Sequence, residues 1–81
     1  MIVVEIGTVV SVCARSESGE GTRVILRPGE EYEATSFTIW HVVVKIPDWR
    51  GGFLLAEVPH ECVRAVYEGL FLPEFEAAAA D

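Results

Sequence analysis

At the start of the chain, apolar and polar positions alternate in the way that is typical of a β-strand with one buried face. In residues 2–15 most of the β-branched apolar side chains share one parity, and Gly7 interrupts the run. A glycine inside a strand favours a bend or a bulge, so we expect two strand arms here. The polar, glycine-rich residues 16–21 predict a turn, and residues 22–27 alternate again, which predicts a hairpin. The aligned apolar residues of the first run are Ile2, Val4, Ile6, Val10 and Val12.

The middle of the chain predicts two further strands. Pro28 and Gly29 end the second strand, and residues 30–33 read as an exposed acidic link. Residues 35–46 carry apolar side chains on both parities, which predicts a central strand that is covered on one side by a helix. After a turn at residues 48–52, residues 53–58 predict a short final strand.

The last part of the chain has the spacing of an amphipathic helix. Pro59 suits the first helical turn, and Gly69 is a plausible stop, so the pattern predicts a helix from Pro59 to about Gly69. Residues 73–81 are rich in Ala and Glu and predict a frayed or short helical tail. The apolar stripe, at spacings of three and four residues, consists of Cys62, Val63, Val66, Tyr67 and Leu70.

These elements define an α+β fold in one domain, residues 1–81. Short connections favour antiparallel neighbours, so we expect a twisted antiparallel sheet of about four strands with one C-terminal helix packed on one face. The alternative is a small, strongly bent β-barrel plus the helix, in which Gly7 turns the first strand through a corner.

The charge of the chain limits its partners. Thirteen acidic and six basic side chains give a net charge of −7. Binding to DNA or RNA depends on Lys and Arg displacing counterions from phosphates, so we expect no direct contact with nucleic acid. An acidic surface suits a protein partner with a basic surface, although the same charge can also serve only to keep an apolar-rich domain in solution.

No constellation of residues predicts catalysis or cofactor binding. His60 and Cys62 lack the paired spacing of zinc ligands, and a nucleophilic Cys62 activated by His41 or His60 would have neither an oxyanion hole nor an orienting third group. We therefore expect no enzyme activity, no catalytic residue, no metal and no cofactor. Cys13 and Cys62 are expected in the core as reduced thiols. The absence of a leader or membrane-spanning pattern favours the cytoplasm.

With no predicted catalytic or metal site, the hypothesis for the function rests on side chains that are predicted to be exposed. Trp49 and Arg50 lie in a predicted turn, and Tyr32 lies within an acidic run; Trp, Tyr and Arg dominate binding hot spots. We expect a small acidic protein-binding module, a monomer or dimer, and most sharply an inhibitor that blocks the nucleic-acid-binding surface of another protein, of the anti-CRISPR or anti-restriction type. The alternatives are a self-associating structural subunit, or an immunity or antitoxin protein against a basic toxin. The predicted contact residues are Glu17, Glu20, Glu30, Glu31, Tyr32, Glu33, Trp49 and Arg50.

Overall fold

The computed structural model of the chain describes residues 1–48 and 50–69. The described residues form seven β-strands and a single 3-10 turn, His60–Cys62, which precedes the last strand. The predicted tail at residues 73–81 lies outside the described residues. The strands are β1 (Ile2–Ile6), β2 (Val10–Arg15), β3 (Gly21–Leu26), β4 (Glu31–Phe37), β5 (His41–Pro47), β6 (Phe53–Pro59) and β7 (Val63–Glu68).

All seven strands belong to one antiparallel sheet in the order β3-β2-β6-β5-β4-β1-β7. Three hairpins, β2–β3, β4–β5 and β5–β6, supply neighbouring pairs. The first strand lies inside the sheet, between β4 and β7, because the last strand returns to pair with it. Among the described residues, β3 and β7 pair on one side only and form the two edges of the sheet.

The hydrophobic core lies on one face of this single sheet. Alternate residues along each central strand point inward: in β5, Val42, Val44 and Ile46 are buried, whereas His41 and Lys45 are only half-buried. Since one sheet supplies the whole cluster, the sheet must curl so that its inner face encloses the core. The buried cluster consists of Val4, Ile6, Val12, Ala14, Leu26, Val42, Val44, Ile46, Leu54, Ala56 and Val58.

The predicted α+β fold with four strands and a C-terminal helix is wrong, because the described residues contain no α-helix and seven strands. Most of the segment from Pro59 to Gly69 forms β7, which pairs with β1 along Val3 to Tyr67 and Val4 to Val66. The same apolar residues satisfy both spacings, but β-branched and aromatic side chains favour a strand where a free sheet edge is available. The alternative prediction, a small bent β-barrel plus the same C-terminal helix, is also wrong, because the described residues contain no α-helix.

Two further boundaries differ from the sequence prediction. The run at residues 35–46 is not one strand but the end of β4, a turn and β5. The acidic residues 30–33 are not a link, since Glu31–Phe37 is strand β4. The β2–β3 hairpin and the strand at residues 53–58 are confirmed in outline.

The break at Gly7 is confirmed, and the structure supplies its physical reason. Gly7 lies directly after β1, where its N–H donates to the carbonyl oxygen of Cys62 at 2.8 Å. A Cβ added at Gly7 would lie 2.9 Å from the Cβ of Arg64, closer than side chains approach one another. Glycine therefore allows the β1–β2 connection to pass against the start of β7.

Candidate functional site

The turn between β4 and β5 carries the two large apolar side chains with the highest exposed fractions among the described residues, Ile39 and Trp40. We call residues 37–40, together with the ring of His60, the tip. Ile39 is 80% exposed, Trp40 is 71% exposed and Phe37 is 48% exposed. Scattered apolar side chains are normal on a protein surface, but here three occur within four consecutive residues. Such a concentration is typical of a surface that a partner covers.

Thr38 fixes the backbone of the tip. Its Oγ1 accepts the N–H of His41 at 2.9 Å and of Trp40 at 3.3 Å, and its own N–H donates to the His41 carbonyl at 2.8 Å. Threonine forms such side-chain turns because its hydroxyl reaches the backbone two or three residues ahead. The exposed Ile39 and Trp40 are therefore presented by a hydrogen-bonded turn.

His60, in the 3-10 turn after β6, contacts the tip through hydrogen bonds and ring stacking. Its ring Nε2 lies 2.8 Å from the Thr38 carbonyl oxygen, and since a carbonyl only accepts, Nε2 carries the hydrogen. The His60 backbone N–H also donates to the Trp40 carbonyl at 3.1 Å. The ring stacks on Phe37 with a centroid distance of 6.4 Å and an interplanar angle of 10°. Two distant parts of the chain thus hold one apolar surface in place.

The acidic residues at the start of β4 make local contacts that the sequence prediction did not foresee. Glu30 Oε1 accepts the backbone N–H of Arg27 at 2.9 Å and the hydroxyl of Tyr32 at 2.8 Å. The Arg27 N–H, with the Tyr32 hydroxyl, lowers the pKa of Glu30. Burial, together with the hydrogen bond to Glu30, raises the pKa of Tyr32 to about 12. Glu30 and Tyr32 therefore stabilise the turn that enters β4.

Glu31 and Glu33 point to the outer face of the sheet, opposite the core. Glu31 accepts the hydroxyl of Tyr67 at 2.6 Å, a hydrogen bond that raises the pKa of Tyr67. Glu33 lies 3.9 Å from the ammonium nitrogen of Lys45, and the same ammonium lies 4.6 Å from the ring centroid of Phe53. The outer face thus combines carboxylates, an ammonium group and an aromatic ring.

The remaining predicted contact residues occupy the turns of two hairpins. Glu17 and Glu20 lie exposed in the β2–β3 turn, and Arg50, in the β5–β6 turn, pairs with Asp48 at 3.5 Å. Glu20 and Arg50 border one surface groove, whereas Glu31, Tyr32 and Glu33 border another. These predicted residues therefore border two different grooves, which meet at Pro47. Trp49 lies outside the described residues.

The cysteines are free thiols, and neither is fully buried. Cys13 is exposed on β2, so the prediction that it fills the core is wrong; Cys62 is half-buried and packs against the core. Across residues 1–48 and 50–69, no three His, Cys, Asp or Glu side chains gather as metal ligands would. In the same residues, no helix has the length and apolar character needed to cross a membrane.

The tip is the surface that sequence reasoning missed. The sequence prediction places Trp40 inside one strand over residues 35–46, because apolar side chains on both parities indicate burial on both faces. That run is about twice the usual length of a strand, and Thr38 in its middle is a good turn residue. Two features of this run could have revealed the turn: it is too long for one strand, and its apolar residues lie at odd positions up to Ile39 and mostly at even positions after it.

Comparison with known proteins gives no relative on which to base a function. The chain matches no protein-family model, no curated protein sequence and no solved structure.

Proposed function

We propose that this protein is a non-enzymatic protein-binding module that inserts the tip into an apolar pocket of its partner. The observation that carries the proposal is the exposure of Ile39 and Trp40 on a turn fixed by Thr38 and His60. Binding hot spots are enriched in Trp, and a rigid anchor loses little conformational entropy on binding. This combination supports an interface rather than an incidental apolar surface.

The net charge of −7 favours a partner with a basic surface around that pocket. Long-range attraction would bring the two proteins together, and the tip would supply the desolvated anchor. A nucleic-acid-binding protein has such a surface, so an inhibitor that covers it remains the sharpest form of the proposal. A basic toxin is the other partner of this chemistry. Both settings are consistent with the cytoplasm, which we keep as the proposed location.

The proposal is tested by comparing two double variants as baits in an extract of the organism that encodes the chain. Ile39→Ser with Trp40→Ser removes the tip; Val9→Ser with Ile25→Ser removes two exposed apolar side chains elsewhere. We expect a protein that the parent and the control retain and the tip variant loses. With that protein purified, the tip variant should bind at least about thirtyfold more weakly, because a single hot-spot residue contributes about 2 kcal/mol or more.

Equal retention by all three baits, with unchanged thermal melting, would contradict the proposal. Vesicles of neutral phosphatidylcholine provide a second control. Binding of the parent to these vesicles, lost in the tip variant, would show that the tip inserts into lipid and not into a protein.

The second candidate is a self-associating structural subunit, which the two unpaired edges among the described strands, β3 and β7, support. Such edges present free backbone groups to another chain. Size-exclusion chromatography with light scattering separates the two candidates. A binding module elutes as a monomer or dimer. A structural subunit elutes as a larger defined oligomer, and substitution of Ile39 and Trp40 does not dissociate it.

A further inference from the structure

A groove on the outer face of the sheet joins an apolar floor to an acidic rim. Val3, Pro47 and Phe53 supply its apolar surface, and Glu31 and Glu33 border it from β4. Val3 is 6% exposed although it points away from the core, because Tyr67 and Gly69 cover it from β7 and beyond. We call this surface the acid–aromatic groove.

The groove already holds a cation, which belongs to the protein itself. The ammonium group of Lys45 lies 4.6 Å from the centre of the Phe53 ring and 3.9 Å from Glu33 Oε1. The first distance is that of a cation–π contact, whereas the second exceeds a direct hydrogen bond of about 2.7–3.2 Å. Glu33 therefore keeps hydrogen-bonding capacity for a second, better-placed donor.

We propose that the acid–aromatic groove binds an Lys or Arg side chain of a basic, extended segment of a partner protein, and that Lys45 occupies this position in the free protein. An arginine fits it best, because a planar guanidinium stacks on an aromatic ring and hydrogen-bonds a carboxylate at the same time. The net charge of −7 favours entry of a basic segment from any direction.

The groove lies within reach of the tip, on the same hairpin. Lys45 and His41 are four residues apart on β5, which corresponds to about 13 Å along a strand. An interface of ordinary size buries about 800 Å² on each partner and spans more than this distance. One partner can therefore contact both surfaces, although the groove does not require the tip in order to bind a basic peptide.

The test replaces Lys45 and asks whether affinity rises. The probe is an acetylated, amidated decapeptide of alternating Arg and Val, titrated into the labelled protein and followed by amide NMR, with a Gln–Val peptide as the uncharged control. Lys45→Met keeps the length of the side chain but frees Phe53 and Glu33, and we expect about fivefold tighter binding. Arg23→Met, which makes the same charge change on β3, should alter affinity by less than twofold.

Two further variants locate the effect. Phe53→Leu should weaken binding about threefold because it removes the ring, and Glu33→Gln should cancel the gain of Lys45→Met. Substituting Ile39 and Trp40 by Ser should leave the affinity for the peptide unchanged. The proposal for the groove is therefore tested independently of the proposal for the tip. The proposal is overturned by the absence of measurable binding, by shifts centred on the β2–β3 turn, by equal gains from Lys45→Met and Arg23→Met, or by weaker binding of Lys45→Met.

Discussion

Glu30 and Tyr32 show how one carboxylate organises the entry to a strand. The carboxylate closes the turn through the Arg27 N–H and also accepts the Tyr32 hydroxyl, whose ring is packed against the core. The Arg27 N–H, and then the Tyr32 hydroxyl, favour the charged carboxylate and lower the pKa of Glu30. Burial of the ring, and then the hydrogen bond to Glu30, favour the neutral phenol and raise the pKa of Tyr32. The folded state is thus most favoured where Glu30 is ionised and Tyr32 is not.

The pH dependence of stability follows from these directions. Tyr32 binds its proton more tightly when folded, so its contribution is fully present below pH 10 and is lost as the pH rises towards 12. Glu30 contributes above its ordinary pKa of 4.5, and that contribution is lost as the pH falls through the lowered value. In urea unfolding between pH 9 and 11.5, Tyr32→Phe should lose less stability than the parent. Parallel curves would contradict the assignment. Tyr67, whose pKa the hydrogen bond to Glu31 also raises, contributes to the slope that remains in Tyr32→Phe.

Thr38→Val tests the turn that presents the tip. The change preserves shape but removes the hydroxyl that accepts the N–H groups of Trp40 and His41. We expect a loss of about 0.5–1.5 kcal/mol in the free energy of unfolding and weaker partner binding although Ile39 and Trp40 are intact. Thr22→Val, at an exposed position on β3, is the matched control and should change neither. Unaltered binding by Thr38→Val would show that the turn need not be fixed.

At the scale of elements, the sequence predicts a strand well when one face of that strand is buried. It misleads when the conformation of a segment depends on pairing with the free edge of a distant strand. The alternation within residues 2–15 and 22–27 predicts the β2–β3 hairpin in outline, because local periodicity determines which face is buried. In β7, Val63 and Val66 fit a helix by spacing alone. Their strand conformation depends on the free edge of β1, some sixty residues earlier in the chain, which no local pattern encodes.

Among the predicted contact residues, exposure likewise follows from the sequence, whereas their hydrogen-bond partners depend on the fold. The sequence predicts that Glu17 and Glu20 are exposed, and the structure agrees. It cannot predict that His60 contacts a turn twenty-two residues earlier in the chain, because that contact depends on how the sheet curls. Side-chain chemistry is visible in a sequence, whereas its assembly into a site is a property of the tertiary fold.

Adjacent residues on β3 test the assignment of inner and outer faces. Leu26 is fully buried and Ile25 is 48% exposed on the opposite face. Leu26→Ala should therefore cost about 2–5 kcal/mol in the free energy of unfolding, from lost burial and the cavity left behind. Ile25→Ala should cost less than about 1 kcal/mol. Urea midpoints measure both, and an equal loss for the two variants would mean that the register of β3 is wrong.

For the whole molecule, charge and the tip act on different steps of association. Attraction by seven net negative charges extends over a Debye length of about 8 Å at physiological ionic strength and raises the association rate. With the purified partner, raising the salt concentration should therefore slow association with little effect on dissociation. Substituting Ile39 and Trp40 should instead speed dissociation, as loss of a desolvated anchor does. Surface plasmon resonance resolves the two rates, and an association rate indifferent to salt would exclude electrostatic attraction.

The pairing of β1 with β7 also governs the order in which the molecule can be assembled. Met1 and Gly69 exchange backbone hydrogen bonds, although 68 positions separate them along the chain, so one side of β1 remains an open edge until β7 has been synthesised. Contacts between residues so far apart in the chain place folding on the slow side, in the millisecond-to-second range typical of small all-β domains. During translation, one side of the interior strand β1 therefore stays unpaired until β7 has left the ribosome.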